Sequence, residues 1–309
     1  MSNRHRTYRS PKYRSPLERA TGADKAFNIL VYGFMGICFF VTVYPIVVVV
    51  SSSFSSPNAV SGGQVWLYPI GLNLRGYEAV FRNSMVLTGY MNSVFYTFFG
   101  TLINVVMTVM AAYPLSRKDF GPRRYIMLLF IFTMFFSGGM IPNYILVSKL
   151  GIMNTRWAML LPTALNVFNL ILTRTFFQTS LPDELLEAAQ LDGCSDINYI
   201  VAVVIPLSKP ILAVIALYYA VGHWNTYFNA FMYLSANNLF PLQLILRSII
   251  MLNQVDSSTV SVEVLYEREA LKDLMKYSLI VVASVPMLIL YPFIQKFFIR
   301  GVMIGSIKG

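Results

Sequence analysis

Six long apolar runs constrain this chain more than any other feature, because each is long enough to cross a lipid bilayer as a helix. About 20 predominantly apolar residues suffice for one crossing. The predicted spans are residues 26–50, 85–115, 125–147, 157–177, 211–234 and 278–299. Only 12% of the 309 residues are charged, whereas a soluble domain carries about twice that share. The sequence therefore predicts an all-α integral membrane protein surrounded by membrane lipid.

Basic residues are spread unevenly over the two sides that six spans define. Both termini fall on one side, together with 16 of the 24 lysines and arginines, and the other side has 8. Cytoplasmic loops of membrane proteins carry an excess of Lys and Arg. We therefore expect both termini in the cytoplasm, with residues 1–25 as a disordered basic arm. This topology explains the net charge of +10, so no nucleic-acid partner is expected.

One cytoplasmic loop departs from the basic trend. All charged side chains between Arg174 and Lys209 are acidic, which gives this interval a net charge of −5. They are Asp183, Glu184, Glu187, Asp192 and Asp196. An acidic loop fits either an amphipathic helix on the bilayer surface or a contact with a basic protein. Surface helices usually turn Lys and Arg toward anionic lipid, so the sequence favours a basic protein partner.

The same loop, residues 181–210, contains the start and stop signals of two short helices. Pro182 suits a first helical turn, where its missing N–H costs nothing. Gly193 can adopt the left-handed conformation that ends a helix, and Ser195 is placed to cap a second helix. That second helix must yield near Pro206. The expected structure is a helix, a sharp turn and another helix.

These residues resemble the EAA loop of ABC importer permeases. The matching positions are Glu187, Ala188, Ala189, Asp192, Gly193, Ile205 and Pro206, with Pro210 beyond. Cys194 stands where the family more often has alanine, another small residue. Further matches to the carbohydrate branch are AYPLSR at 112–117, NTRW at 154–157, GHWN at 222–225 and GVMIG at 301–305. The resemblance covers nearly everything after Ala26 and is closest to maltose-type second permeases, especially the subgroup that imports complex oligosaccharides.

The resemblance implies a fold and a set of partners. Residues 26–309 would form the six transmembrane helices of the type I ABC importer permease fold in a bacterial cytoplasmic membrane. The chain would form an oligosaccharide path with a second homologous permease. Two ATP-binding subunits would dock at residues 181–210, and an external solute-binding protein would deliver the sugar. The coupling residues that the motif implies are Glu187, Ala188, Ala189, Asp192, Gly193 and Pro206.

The sequence lacks the residues of an enzyme and of an ion-coupled transporter. Two histidines, His5 and His223, are too few for a metal site or a histidine-based nucleophile. No G-x-x-x-x-G-K-[ST] motif occurs, so the partner subunits would use ATP, and we expect no cofactor or metal on this chain. The predicted spans also lack carboxylates. This argues against the alternative function, ion-coupled secondary transport of a small polar solute.

Amide and aromatic side chains within the spans are candidates for a sugar path. Asn166 and Asn169 are three residues apart, which predicts a shared helical face. In the fifth span, Asn225 and Asn229 are expected to share a face flanked by rings. The full set is Asn166, Asn169, Trp224, Asn225, Phe228 and Asn229. Such amides also bond neighbouring helices together, and the sequence leaves both interpretations open.

The segment 235–277 is too long for a bare connector. It contains two helical stripes of apolar residues, namely Leu242, Ile245, Leu246, Ile249 and Ile250, and then Leu271, Leu274 and Met275. Two interfacial helices that cap the bundle would explain this pattern. The resemblance implies in addition that this external loop reaches into the docked solute-binding protein.

Overall fold

The computed structural model describes residues 22–251 and 262–306, which form helices and connecting turns without a strand. Residues 1–21 of the predicted arm, 252–261 of the predicted external loop and 307–309 lie outside the described residues. The long helices are α1 (Gly22–Ser53), α4 (Ser84–Ser116), α12 (Lys209–Trp224) and α15 (Val262–Ser306). The shorter ones are α2 (Pro57–Ser61), α3 (Arg75–Arg82), α5 (Arg123–Phe135), α6 (Met140–Lys149), α7 (Trp157–Leu160), α8 (Val167–Ser180), α9 (Asp183–Leu191), α10 (Asp196–Tyr199), α11 (Ile205–Leu207), α13 (Phe228–Tyr233) and α14 (Leu242–Met251).

α4 is the central helix of the bundle, and it packs against α8, α12 and α14. The largest apolar cluster joins the last turns of α4 to α8, α9 and α12. A second cluster joins its first turns to α14 and α15. Between these clusters α4 also buries polar side chains, among them Asn92, Ser93, Asn104 and Thr108. Because apolar packing alone does not need such groups, their partners reveal how the bundle is held in register.

Three stretches of the described residues are single helices long and apolar enough to cross a bilayer: α1, α4 and Ala270–Pro292 of α15. Two bent pairs qualify when their helices are taken together. These are α5 with α6, bent by 115°, and Asp196–Leu207 with α12, bent by 84°. The first, second and sixth predicted spans are therefore continuous helices. The fourth predicted span is broken at Pro162, as the sequence indicates, and the third is bent much more than the predicted kink. The prediction of one continuous helix is wrong for the fifth span.

The third predicted span is interrupted at Ser137, Gly138 and Gly139, where the sequence indicates a kink. α5 ends at Phe135, α6 begins at Met140, and Gly139 has a φ of +86°. Glycine adopts this φ without the steric penalty of a Cβ atom. The 115° bend exceeds a kink, so α5 and α6 are separate elements.

The fourth predicted span is divided between α7 and α8. α7 ends at Leu160, just before Pro162, which cannot donate a backbone hydrogen bond and disfavours continuation of the helix. Helix resumes at Val167, where Asn166 is the N-cap and its Oδ1 accepts from the backbone N–H of Asn169 at 3.1 Å. The prediction that Asn166 and Asn169 share a helical face is therefore wrong, because Asn166 precedes the helix in extended conformation.

The fifth predicted span is divided between α12 and α13. Asn225 follows α12 as its C-cap, and its side-chain amide donates to the Val221 carbonyl at 3.0 Å. Such local side-chain bonds compete with continuation of a helix. Asn229 lies beyond the break, in α13. Asn225 and Asn229 thus belong to different helices, and the predicted shared face does not exist.

The first half of the predicted external loop is anchored on α4. The side-chain amide of Asn92 donates to the carbonyls of Asn238 and Phe240, at 2.7 and 3.1 Å. The Ser93 hydroxyl accepts from the backbone N–H of Leu242 at 2.8 Å, where α14 begins. α14 therefore covers this end of the bundle, as the cap interpretation predicts.

The second half of that loop is not a separate helix. α15 begins at Val262 and continues without interruption through the sixth predicted span. The predicted stripe of Leu271, Leu274 and Met275 therefore lies on the same helix as the span. Sequence periodicity alone does not show where an apolar stripe joins a continuous run.

We expect Asn92→Ala to destabilise the protein by about 1 kcal/mol, at ~0.6 kcal/mol for each of two lost interhelical bonds in a membrane protein. The thermal unfolding midpoint of the purified protein in detergent measures this. Asn237→Ala is the matched control, because this exposed amide in the same loop has no side-chain hydrogen bond within the described part of the chain. Equal midpoints for wild type and Asn92→Ala would contradict the anchoring role.

Candidate coupling surface and substrate cavity

The segment 181–210 forms the predicted helix, turn and helix. α9 ends at Leu191, and Gly193 follows with a φ of +73°. The turn is closed by backbone hydrogen bonds from Gly193 to Gln190, at 3.0 Å, and from Cys194 to Ala189, at 2.9 Å. The left-handed turn at Gly193 is confirmed.

The second helix of the segment contains a wide turn. Ser195 caps it by accepting from the backbone N–H of Asn198 at 3.4 Å, as predicted. α10 passes through a π-helical turn at Ile200–Val204 into α11, which contains Pro206 and ends at Leu207. A proline lacks its own N–H and clashes with the carbonyl four residues earlier, and a π turn opens the helix at that point. The prediction that the second helix ends near Pro206 is confirmed, since α11 ends at Leu207.

One face of this segment is anchored and the other is exposed. Leu186 and Tyr199 are buried in the cluster that joins α4, α8 and α12. Glu187 and Asp192 are exposed, and Leu191 is 90% exposed. A surface that combines carboxylates with a bare leucine offers both charge and apolar area to a partner.

One acid of the segment is neutralised within the chain. Asp183 lies 2.7 Å from the Lys118 ammonium and 3.8 Å from the Arg117 guanidinium. The hydrogen bond from Lys118 lowers the pKa of Asp183, and the same bond raises the pKa of Lys118. The pair therefore persists at neutral pH, weakening as pH falls through the Asp183 pKa or rises through the Lys118 pKa. Asp183 is therefore paired within the chain, whereas the other acids of the segment have no ion pair among the described residues.

The last carbonyls of α4 are bound by side chains from later elements. The Arg174 Nε donates to the Leu115 carbonyl at 2.8 Å, and the Arg123 Nη1 donates to the Arg117 carbonyl at 2.7 Å. A helix C-terminus has unpaired carbonyls and the negative end of the helix dipole, so cations are stabilising there. Because Arg174 belongs to α8, which leads into α9, this contact fastens α8 to the end of α4.

A cavity of about 450 Å³ lies between α4, α8, α12 and the break before α8. Its lining residues are Asn104, Met159, Thr163, Asn166, Phe168, Asn169, Tyr218, Tyr219, Gly222, His223, Thr226 and Asn229. Amides, hydroxyls and rings predominate. Such groups bind a polar, uncharged ring through hydrogen bonds and face contacts.

A polar network holds the walls of this cavity together. The Asn104 Oδ1 lies 2.8 Å from the His223 Nε2 of α12, and its amide nitrogen donates to the Thr163 carbonyl. The Tyr219 hydroxyl is 2.7 Å from the Thr108 hydroxyl and accepts from the Asn166 backbone N–H at 3.1 Å. The break before α8 therefore has backbone partners despite the loss of helix, as a membrane interior requires.

His223 packs directly against α4. A Cβ atom on Gly100 would lie closer to the His223 Nε2 than real Cβ contacts allow. Glycine at this position lets α12 approach α4 closely enough for the Asn104–His223 contact.

The structure separates the predicted path residues into two groups. Asn166, Asn169 and Asn229 line the cavity. Asn166 contributes as the helix cap, and the Asn169 side chain is almost fully buried. The role of these three residues in a sugar path therefore stays a prediction, and their position at the cavity is consistent with it.

Trp224, Asn225 and Phe228 do not line this cavity. Trp224 is 3% exposed, and its Nε1 donates to the Ala283 carbonyl at 2.9 Å, so its ring binds α12 to α15. Asn225 faces a different cavity, of about 380 Å³, between α12, α14 and α15. Phe228 is exposed at the start of α13. The sequence predicts a continuous helix through residues 225–227, which would place these residues together. The helix is broken there, so they lie apart.

Several cavity residues were missed from the sequence. Tyr219, Gly222 and His223 follow the i, i+3, i+4 spacing of one helical face, and that spacing is the signal that identifies them, whereas Thr226 lies in the break after α12. Asn104 gives no such signal, because its role depends on contacts 59 and 119 residues away.

An all-helical membrane bundle with an exposed EAA-type loop and a cavity lined by amides, hydroxyls and rings defines a type I ABC importer permease. The chain belongs to the family of binding-protein-dependent transport system inner membrane components, which matches residues 85–304. Family membership supports a permease component of an ABC importer and not the ion-coupled secondary transporter.

Individual relatives are similar over nearly the whole chain. The polygalacturonan/rhamnogalacturonan transport system permease protein YtcP of Bacillus subtilis (strain 168) is 38% identical, over 93% of this chain and 99% of the relative. Protein LplC of the same organism is 37% identical, over 94% and 97%. The crystal structure of a bacterial ABC transporter involved in the import of the acidic polysaccharide alginate matches with a TM-score of 0.83 and 34% identity, over 90% of this chain and 99% of that chain.

We expect Gly193→Val to impair transport, because a β-branched residue at a φ of +73° costs roughly 1–2 kcal/mol and re-aims α9. No atom outside the turn lies within 4 Å of a Cβ at this position, so the effect arises from the backbone alone. ATP-driven uptake by the reconstituted importer measures it.

Gly193→Asn is the matched control, since asparagine tolerates the left-handed region, and Cys194→Ala tests the neighbouring position. Both should transport nearly as wild type does. Wild-type uptake by Gly193→Val would show that the turn does not set the geometry of coupling.

Proposed function

We propose that this chain is the permease subunit of a bacterial ABC importer for oligosaccharides, in the cytoplasmic membrane with both termini in the cytoplasm. It forms the translocation path with a second homologous permease. Two ATP-binding subunits dock on residues 181–210 and use the ATP, and an external solute-binding protein delivers the sugar. The chain itself carries the solute path and no chemical step.

The observation that carries this proposal is the continuity between the exposed segment and the cavity walls. α8 ends at Ser180, three residues before α9 begins, and α12 begins at Lys209, two residues after α11 ends. Both α8 and α12 line the cavity. A displacement of α9 by a docked ATPase is therefore delivered to two walls of the cavity through short, direct connections.

The charge of the segment supports the choice of partner surface. Glu184, Glu187, Asp192 and Asp196 are exposed and have no ion pair among the described residues, in contrast to Asp183. A basic cleft on each ATPase complements them, and complementary charge guides docking and fixes its register. Glu187 pairs with a basic group there, the exposed Gly193 turn sets the angle between the two helices, and Pro206 marks the end of the second.

The cavity chemistry supports a carbohydrate. Neutral amides and hydroxyls beside Phe168 and Tyr218 match the alternating hydroxyl edges and apolar faces of a sugar ring. Relatives named for polygalacturonan/rhamnogalacturonan, arabinooligosaccharides and melibiose/raffinose/stachyose all transport carbohydrate. Oligosaccharide is therefore the substrate class we assign, and the solute passes by alternating access as ATP closes the ATPase dimer.

The direct test is reconstitution of the complete importer in proteoliposomes with labelled oligosaccharides. The proposal expects uptake that requires ATP and the solute-binding protein and that persists when ionophores collapse ion gradients. Uptake by this chain alone under an ion gradient would contradict it.

We expect Glu187→Lys to uncouple ATP hydrolysis from uptake. Reversal of one charge in a desolvated contact costs a few kcal/mol, much of it from the charge left unpaired. Sugar-stimulated ATPase activity and recovery of the assembled complex in nanodiscs are the measurements. Glu78→Lys, a reversal on α3 outside the acidic segment, is the control, and normal coupling in Glu187→Lys would remove this residue from the contact.

We expect Asn229→Ala to reduce uptake and Asn225→Ala to leave it unchanged, since only Asn229 lines the cavity. Loss of one neutral hydrogen bond to the sugar corresponds to roughly a two- to tenfold effect. Initial uptake rates per assembled complex, with the thermal unfolding midpoint of each variant, separate a path role from a structural one. A lowered midpoint with normal uptake for Asn229→Ala would assign the residue to helix packing.

A further inference from the structure

A guanidinium is held on two aromatic rings where α13 and α14 meet. The Arg247 Cζ lies 4.5 Å from the ring centroid of Phe231 and 5.5 Å from that of Tyr227. Arg247 is half-buried, while Phe231 is 57% exposed and Tyr227 is 44% exposed. The cluster thus opens to the surroundings instead of being sealed in the core.

The two rings fix the guanidinium without using its hydrogen-bonding edge. Cation–π contacts involve the face of the planar group and are worth more when it is partly desolvated. Within the described part of the chain, Arg247 has neither an ion pair nor a hydrogen bond. A planar fork of N–H donors held in this way is pre-organised for a carboxylate, which it binds through two parallel hydrogen bonds.

The cluster lies beside the break between α12 and α13, at the end of the bundle that α14 covers. Tyr227 directly follows Thr226, which lines the cavity. Phe231 is two residues from the cavity-lining Asn229 on α13, so its ring lies on another side of that helix. α14 packs on α4 beside Gly89, which is about 22 Å along the helix from Asn104 at 1.5 Å per residue. By the topology proposed above, this end faces outward, which is the side from which a solute enters.

The cavity and the cluster offer different chemistry. The residues that line the cavity include no lysine or arginine. A carboxylate on the solute thus meets its fixed cation at the entrance, and the uncharged part of the sugar is matched inside. This division would select acidic solutes without a fixed positive charge inside the cavity that binds them too tightly to pass.

We infer that Arg247, oriented by Tyr227 and Phe231, is a specificity-determining subsite for the carboxylate of a uronate residue, and that the importer prefers acidic oligosaccharides. The inference rests on the proposed function, because it names a substrate class within oligosaccharides. Arg247 contacts the substrate, and the two rings are positioning residues.

The test uses the complete importer in proteoliposomes with its solute-binding protein. The probes are trimers of galacturonate, mannuronate and guluronate and their methyl esters, which differ from the acids only in the charged group, with maltotriose as a neutral sugar. The affinity of the solute-binding protein for each probe is measured first, and uptake is then measured at saturating loaded binding protein.

The expected result is faster uptake of a uronate trimer than of its methyl ester, with a roughly ten- to hundredfold loss of this preference in Arg247→Gln. Arg247→Lys should retain part of the preference, because charge remains but the fork is lost. Tyr227→Leu should weaken it to a smaller extent. Arg156→Gln is the matched control, since Arg156 is exposed and lies over the single ring of Phe95, at 4.2 Å.

Three outcomes would overturn the inference and leave the proposed function intact. A solute-binding protein that binds only neutral oligosaccharides is the first. The second is equal loss of acidic and neutral uptake in Arg247→Gln, which would assign the guanidinium to a protein carboxylate. The third is an unchanged preference in Arg247→Gln. Failure of every oligosaccharide to bind or be taken up would instead refute the proposed function.

Discussion

The amide of Asn104 is the contact on which the shape of the cavity depends. It sits at the middle of α4 and reaches both His223 on α12 and the Thr163 carbonyl in the break before α8. Without it, the Thr163 carbonyl in that break would lose its side-chain partner. The neighbouring contacts of Tyr219 with Thr108 and Asn166 repeat the arrangement one turn further along. Polar side chains of α4 thus bind both α12 and the break before α8.

Interrupted helices are expensive in a membrane unless protein groups satisfy the freed backbone. Here the interruptions lie where they line a cavity or end in a cap, at Asn166 and at Asn225. Their position has a mechanical consequence. α8 and α12 are short elements joined directly to the segment 181–210, so under the proposed coupling they would transmit its displacement to the cavity walls. Arg174, bonded to the end of α4, would be the pivot of that motion, on the side of the acidic segment.

Residues that start, cap or end helices predicted the helix boundaries of the segment 181–210 well. The turn at Gly193, the cap at Ser195 and the end near Pro206 each depend on the residue itself and its immediate neighbours, so the sequence suffices. The all-α membrane fold followed from the length of apolar runs for the same reason. Periodicity failed where a helix breaks without proline or glycine, as at Asn225, because the pattern does not record the interruption. Trp224 was grouped with the path for this reason, although its indole binds α15. Contacts such as Lys118 with Asp183, 65 residues apart, depend on packing that one sequence does not display.

The central claim is that a push on the acidic segment moves α8 and α12 as the walls of one cavity. The most direct measurement is the distance between spin labels at Phe168 on α8 and Thr226 just after α12, which both line that cavity, after replacement of Cys38 and Cys194 by alanine. Pulsed electron resonance on the complete importer in nanodiscs compares the nucleotide-free state with the ATP-bound state. The account predicts a distance change on ATP binding that is abolished by Glu187→Lys. No change on ATP binding, or the same change in Glu187→Lys, would contradict it.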